Sequence, residues 1–221
     1  TGLGFSLAMA TIAALVVLGV VPIALLVLRR RPQDIGLEPD GISTDGVNAP
    51  SVSRSWTRPQ ALQTFALQSV ILTFGVALMV QIGFLSHQVN LLQTFVTPAM
   101  TALIVLASGA LAFLGRILLA RVADRLNIRL IASAVLIFSA IGLIVTAMAN
   151  TALVLIVGIL LFGFNVGNLT TLPALIVRRE FGATSFGKVF GITGTFMQLL
   201  SALGPAIFGL MHDRTGSYSL A

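Results

Sequence analysis

The chain reads PAMTALIVLASGALAFLGRILLARVADRLNIR from residue 98 to residue 129, and this stretch decides the fold. Its first eighteen residues carry no charge, and five charged side chains follow before residue 130. A helix of about 20 apolar residues spans the hydrocarbon core of a bilayer. Arginines at the end of such a helix are typical of its cytoplasmic side. The stretch therefore predicts one membrane-spanning helix that is followed by a cytoplasmic turn.

The composition of the whole chain is typical of a membrane domain. Of the 221 residues, 57% are hydrophobic and 9% are charged, whereas soluble domains carry about 25% charged residues. The net charge is +6, but the basic residues lie at the ends of apolar runs, so we expect no nucleic-acid partner. Because the chain has no cysteine and two histidines, we also expect no metal site and no cofactor.

Six apolar segments are long enough to cross a bilayer, and none has a carboxylate in its interior. Helices are expected for all of them, because every backbone polar group must be paired inside lipid. The sequence thus predicts an all-α membrane protein with about six transmembrane helices, at residues 4–28, 63–85, 98–122, 129–149, 152–177 and 187–211.

The positive charges are distributed on alternate connections. Twelve of the 13 lysines and arginines lie in or beside the loops 29–62, 122–129 and 178–187, and the other two connections have none. Since positive residues stay on the cytoplasmic side, these three loops are predicted to be cytoplasmic in a multi-pass protein of the plasma (inner) membrane. Residues 38–59 are rich in Pro, Gly, Ser, Asp and Asn, which is typical of a flexible linker.

Several loop motifs resemble those of a known family. Residues 115–129, GRILLARVADRLNIR, resemble the cytoplasmic signature of the major facilitator superfamily, Gly-x-x-x-Asp-Arg-x-Gly-Arg. Ala120 and Asn127 stand where that signature has glycines. Residues 31–41, RPQDIGLEPDG, are similar to the central loop of the monocarboxylate and oxalate/formate branch. The loops that begin at Arg178 and Gly204 are similar to later loops of the same family.

The resemblance implies a domain organisation. The chain would hold helices six to eleven of a twelve-helix transporter, as a fragment of the C-terminal part. Residues 1–28 would be the last helix of the N-terminal bundle, 29–62 the cytoplasmic central loop, and 63–221 a C-terminal bundle with five of its six helices. The absence of charge in residues 1–28 argues against a signal peptide, so we expect the chain to begin inside a longer protein.

Asp124, Arg125 and Arg129 form a charged cluster at the end of the third segment. The resemblance implies a cytoplasmic gate that is latched in one state of the transport cycle and released in the other. Alternating access requires contacts of this kind. The alternative is a solvated loop whose charges only set the topology.

Arg116 lies about two helical turns inside the segment from Asp124. An arginine at depth costs roughly 2.5–3.5 kcal/mol on insertion scales, so it should face the bundle or a water-filled cavity. The resemblance implies that Arg116 binds a substrate carboxylate. In the monocarboxylate branch an aspartate implicated in proton coupling precedes this arginine by four residues, and Ala112 stands there instead. The alternative is an arginine that snorkels to the cytoplasmic interface.

Polar residues of two later segments are expected near the same depth. Asn165 and Asn168 share one helix face, and Thr195 and Gln198 lie at the corresponding depth of the last segment. Together with Arg116 they would line a substrate cavity near the bilayer midplane. Hydrogen bonding between helices is the alternative explanation for such residues.

Glycines at four-residue spacing are typical of close helix contacts. Gly163 and Gly167 form one such pair, and Gly187 and Gly191 form another. We expect both pairs to lie where two helices approach each other closely.

The sequence predicts a secondary active transporter that moves a small solute, such as a monocarboxylate or another organic anion, by alternating access. The sequence does not tell whether transport is coupled to a proton, or whether the protein is a symporter or an antiporter. The alternative is a non-transporting membrane sensor or assembly protein on the same fold. An intramembrane enzyme lacks support, since no segment has an interior carboxylate and the chain has no cysteine.

Overall fold

A computed structural model describes residues 2–27, 55–216 and 218 of the chain. All of its regular elements are helices, and six of them are long and apolar enough to cross a membrane. This confirms the predicted all-α membrane fold with six spans. The helices are α1 (Gly2–Val27), α2 (Arg58–Leu62), α3 (Phe65–Gln93), α4 (Pro98–Val122), α5 (Ile128–Ala147), α6 (Ala152–Phe181) and α7 (Ala183–Thr215).

Two of the predicted loops are shorter than expected. The region 178–187 is helical except for Gly182, which has a φ of 78° and joins α6 directly to α7. The loop predicted at 122–129 is reduced to residues 123–127. Part of the predicted loop 29–62 is the short helix α2, and residues 29–54 of that loop lie outside the described residues.

The chain divides into two compact units, Thr1–Ser51 and Val52–Ala221. The first unit contains α1, a helix of 26 residues with Pro22 in its interior. The second contains α2 to α7. The predicted assignment of residues 1–28 to one bundle and 63–221 to another stays a prediction.

Short polar side chains define where the helices of the second unit begin. Thr64, Thr97 and Thr151 each accept a hydrogen bond from the backbone N–H three residues later, and Asn127 accepts one from Arg129. Such caps satisfy backbone donors that have no partner within the first helical turn. The four helices α3 to α6 therefore start at residues that the sequence marks clearly.

Helix α6 is the centre of the second unit, because it contacts α3, α4, α5 and α7. Helix α5 packs along α6, and α3 packs along α7. The rings of Phe84 on α3 and Phe162 on α6 meet edge to face with their centroids 5.0 Å apart. The backbones of α5 and α6 approach closely at Gly142 and Gly158, where there is no room for a larger side chain. If Gly142 were alanine, its Cβ would lie 2.6 Å from the backbone nitrogen of Phe162.

The residues that precede α3 are attached to the same end of the bundle as the α6–α7 junction. The backbone N–H of Trp56 donates a 2.8 Å hydrogen bond to the buried hydroxyl of Ser185. The indole ring of Trp56 meets the ring of Phe181 edge to face at 5.2 Å. Since Ala61 of α2 is fully buried, the end of the predicted loop 29–62 is part of the packed structure.

Candidate functional site

Arg116 lies on α4 against the backbone of α6. The aliphatic part of its side chain packs directly on Gly167 of α6. If Gly167 were alanine, its Cβ would lie 2.8 Å from Cγ and 2.9 Å from Cδ of Arg116. The terminal Nη2 donates a 3.4 Å hydrogen bond to the hydroxyl of Thr170. Arg116 is exposed, so α6 covers the guanidinium group on one side and the rest of the group is open in the described bundle. The glycine thus holds the arginine stem in place and leaves its charge accessible.

Asn165 and Asn168 are both buried, with 3% of each residue exposed. The Asn165 side chain donates a 3.3 Å hydrogen bond to the carbonyl of Leu161 in its own helix. The Oδ1 atom of Asn168 has no hydrogen-bond partner among the described residues. Its amide nitrogen lies beside Gly115, at 3.4 Å from where a Cβ of that glycine would be. Asn168 is therefore a neighbour of the α4 turn that carries Arg116.

Two further buried amides lie on α3. Gln81 and Gln88 are 3% and 4% exposed, and the Oε1 atom of Gln81 and the Nε2 atom of Gln88 lack partners among the described residues. Their seven-residue spacing places both on one face of the helix. Buried polar groups are nearly always paired with protein, water or a ligand, so these amides add polar positions that the predicted site lacked. The seven-residue spacing of the two glutamines indicates that they share a helix face, but the sequence does not show that this face is buried.

Thr195 and Gln198 lie on an exposed part of α7. The Thr195 hydroxyl donates to the carbonyl of Gly191 at 3.0 Å, and the Oε1 of Gln198 accepts from Ser201 at 3.0 Å. These hydrogen bonds stay within α7. The structure therefore brings Arg116 and Asn168 near each other, whereas it leaves Thr195 and Gln198 on a separate, uncovered surface.

The ion pairs between arginine and carboxylate side chains of the described residues lie at one end of the bundle, which we call the arginine-rich end. Arg129 at the start of α5 donates two hydrogen bonds to the carboxylate of Glu180 at the end of α6, at 2.7 and 2.9 Å. Its Nη1 atom also lies 3.5 Å from the hydroxyl of Ser69 on α3. A two-point pairing of arginine with a carboxylate fixes geometry as well as charge.

A second ion pair joins α6 to the turn after α4. Arg179 donates from one nitrogen to the carbonyl of Ala123 at 2.6 Å and to the carboxylate of Asp124 at 3.0 Å. The Asp124 side chain is 93% exposed, so solvent screens this pair strongly. Arg125 is exposed and makes no ion pair among the described residues. The partners of the predicted gate residues Asp124 and Arg129 are therefore Arg179 and Glu180, which were not predicted to belong to the gate.

Removing the Arg129–Glu180 pair should weaken the bundle measurably. We expect Glu180→Gln and Arg129→Gln each to lower the free energy of unfolding, with a coupling of about 1 kcal/mol in the double-mutant cycle, because the pair is two-pronged but partly exposed. Unfolding of the four proteins in detergent measures the coupling. Strict additivity of the two single effects would show that the pair adds no stability.

The architecture is that of a multi-pass helical membrane protein. Its distinguishing features are buried amide side chains between the helices and an accessible arginine within one span. The sequence model described as Major Facilitator Superfamily matches residues 1–205, and the chain belongs to this family. A search of curated proteins found no match to the chain.

Family membership gives the general function. Major facilitators are secondary transporters that move small solutes across the bilayer in which they are embedded, and this chain is a multi-pass membrane protein of that kind. Transport, not enzymatic chemistry, is the activity of the family, which fits the prediction made from the sequence. Membership does not favour the alternative of a non-transporting sensor or assembly protein.

Proposed function

We propose that the protein transports a small organic anion, such as a monocarboxylate, by alternating access. The observation that carries this proposal is the position of Arg116. The guanidinium is exposed on α4, about 12 Å along the helix from Asp124 by the helical rise. No carboxylate pairs with it among the described residues. An unpaired arginine inside a membrane span is costly and is retained where it faces a ligand pathway.

The chemistry of the guanidinium group sets the class of solute. It is planar and positively charged and presents two parallel N–H donors, which match the two oxygens of a carboxylate. The neighbouring hydroxyl of Thr170 and the buried amide of Asn168 supply uncharged polar groups. Asn165, Thr195 and Gln198 complete the proposed substrate-binding set, the last two on the uncovered surface of α7. One cation with neutral neighbours favours a monoanion over a dianion.

The two ion pairs at the arginine-rich end support a role as the cytoplasmic gate. Asp124 with Arg179 and Arg129 with Glu180 tie α4 and α5 to the end of α6. Contacts of this strength can be exchanged between states, because partly exposed pairs contribute about 1 kcal/mol or less. The excess of positive charge at this end supports its cytoplasmic placement.

Uptake of a matched acid and amide tests the proposed solute class. We expect proteoliposomes with the natural full-length protein to take up radiolabelled lactate or pyruvate saturably, after subtraction of uptake by protein-free liposomes. Unlabelled lactate should compete, while lactamide should not, because the amide has the same shape without the charge that Arg116 recognises. Equal competition by the acid and the amide, or uptake no faster than in empty liposomes for formate, lactate and pyruvate, would contradict the anion proposal.

A further inference from the structure

A half-open pocket with one cationic residue lies between α6 and α7 at the arginine-rich end. Its volume is about 320 Å³, and it is lined by Ala174, Leu175, Arg178, Ala183 and Phe186. Small-molecule sites have volumes of this order and combine apolar walls with a few polar groups. The guanidinium of Arg178 is the single charge of the lining. The pocket therefore has the composition expected of a site for a small organic anion.

Arg178 has no ion-pair partner among the described residues, unlike Arg179 and Arg129. Arg179 pairs with Asp124, and Arg129 pairs with Glu180. Within the described ranges, Arg178 is exposed and makes no ion pair. The carboxylates at this end of α6 are thus already engaged, and the guanidinium in the pocket is left available to an anion.

One face of α6 leads from this pocket to Arg116. Gly167, Thr171, Ala174 and Arg178 follow each other at spacings of four, three and four residues, which places them on one side of the helix. Gly167 is the residue that the stem of Arg116 crosses. Thr171 and Ala174 are only half-buried, and Arg178 lies about 16 Å from Gly167 along the axis. Arg116 and Arg178 therefore lie at the two ends of a row of small side chains on α6.

We propose that Arg178 forms a second anion position, where a carboxylate solute binds on its way between the cytoplasm and Arg116. This inference rests on the proposed function, since it takes the same solute class. A cation in an apolar recess concentrates anions locally and raises their rate of capture. The position is exposed, so it binds the solute more weakly than the deeper arginine and acts on apparent affinity instead of on the transport step itself.

The test compares two arginines at the same end of the bundle. We measure the concentration dependence of [14C]pyruvate transport by the full-length protein from the side that carries Arg178, in vesicles of known orientation. Arg178→Gln should raise KM about tenfold while the maximal rate stays within about twofold, because local concentration of anions by cationic recesses is worth about tenfold or more. Arg121→Gln removes another exposed arginine, which does not line the pocket, and should leave KM unchanged.

Two further variants separate the pocket from general folding effects. Arg178→Lys keeps the charge but loses the paired donors, so its KM should lie between those of the wild type and Arg178→Gln. Ala174→Phe fills the pocket without a change of charge and should also raise KM. The thermal unfolding midpoints of all variants identify any variant that fails to fold. If Arg178→Gln fails to fold, the KM of Arg178→Lys tests the proposal.

Each other outcome overturns the proposal. If Arg178→Gln and Arg121→Gln raise KM equally, the effect comes from overall surface charge and the second position does not exist. If Arg178→Gln lowers only the maximal rate, the residue is structural. An unchanged KM in Arg178→Gln, in a protein whose Arg116→Gln variant shows the expected loss of transport, refutes this inference alone. Failure of the wild type to transport any carboxylate removes both this inference and the proposed function.

Discussion

Replacing Gly204 by alanine is expected to destabilise the protein by about 3 kcal/mol, the upper part of the range for overpacked interiors. A Cβ on Gly204 would meet the carbonyl oxygen of Met79 and would lie 2.8 Å from the backbone nitrogen of Gly83. Both atoms belong to the backbone of α3, so no change of rotamer relieves the clash. Helices α3 and α7, which pack along each other, would have to separate.

The same helix offers a matched control. A Cβ on Gly194 would have no heavy atom within 4 Å outside its own helical surroundings in the described part of the chain. Alanine is favoured over glycine in a helix by about 1 kcal/mol, so Gly194→Ala should stabilise slightly. Thermal unfolding in detergent, followed by fluorescence of Trp56, the single tryptophan of the chain, compares the two. Equal midpoints for the two alanine variants would show that α3 and α7 do not approach closely at Gly204.

The membrane spans were predictable because their signal lies in consecutive residues. An apolar run needs no knowledge of its neighbours, and the six runs all form helices. Helix ends were harder to predict. Helix α3 continues to Gln93, past the predicted end at residue 85. Gln88 is in fact buried inside the bundle, and a polar residue can continue a helix where neighbouring helices shield it from lipid.

The candidate site was predicted only in part, for a related reason. Sequence spacing gives the depth of a residue along its helix but does not tell which neighbour its face meets. Asn165 and Thr195 were expected at one depth, yet Asn165 is buried and Thr195 is exposed. Whether the whole set binds one solute stays a prediction.

Glycine motifs show the same limit. Gly163 and Gly167 lie at close contacts with Ser108 and Arg116 of α4, as the spacing predicted. The equivalent pair on α7 was predicted wrongly, because a Cβ on Gly187 or Gly191 would meet nothing within 4 Å outside its own helical surroundings in the described ranges. Two glycines at four-residue spacing allow another helix to approach closely. Whether a helix packs there depends on how the other helices are arranged.

Ion pairs between distant residues were the least accessible to sequence reasoning. Arg129 and Glu180 are 51 positions apart, and Arg179 and Asp124 are 55 apart. Their contact requires α4 and α6 to end, and α5 to begin, at one level of the bundle. That level depends on helix lengths, which could be predicted only to within several residues. The signal that was present is the run Arg178, Arg179, Glu180 beside a predicted basic junction.

Replacing Arg116 by glutamine is expected to reduce carboxylate transport about 10- to 100-fold. A hydrogen bond to a charged group contributes about 1.5–3 kcal/mol, and each 1.4 kcal/mol corresponds to about a tenfold change in affinity. Arg116→Lys keeps the charge without the planar pair of donors and should retain an intermediate rate. Initial rates of [14C]lactate uptake in proteoliposomes, with protein content and thermal midpoint matched, measure both effects.

The neighbours of Arg116 provide the control for a purely structural role. Thr170→Val removes the 3.4 Å hydrogen bond of the guanidinium but keeps the charge, so it should change uptake far less than Arg116→Gln. A structural arginine that only ties α4 to α6 predicts the reverse pattern, in which the two variants lose thermal stability together and lose uptake in proportion. Full uptake of every tested carboxylate by Arg116→Gln would remove the anion-binding role, and the exposed arginine would then be one that snorkels to the interface.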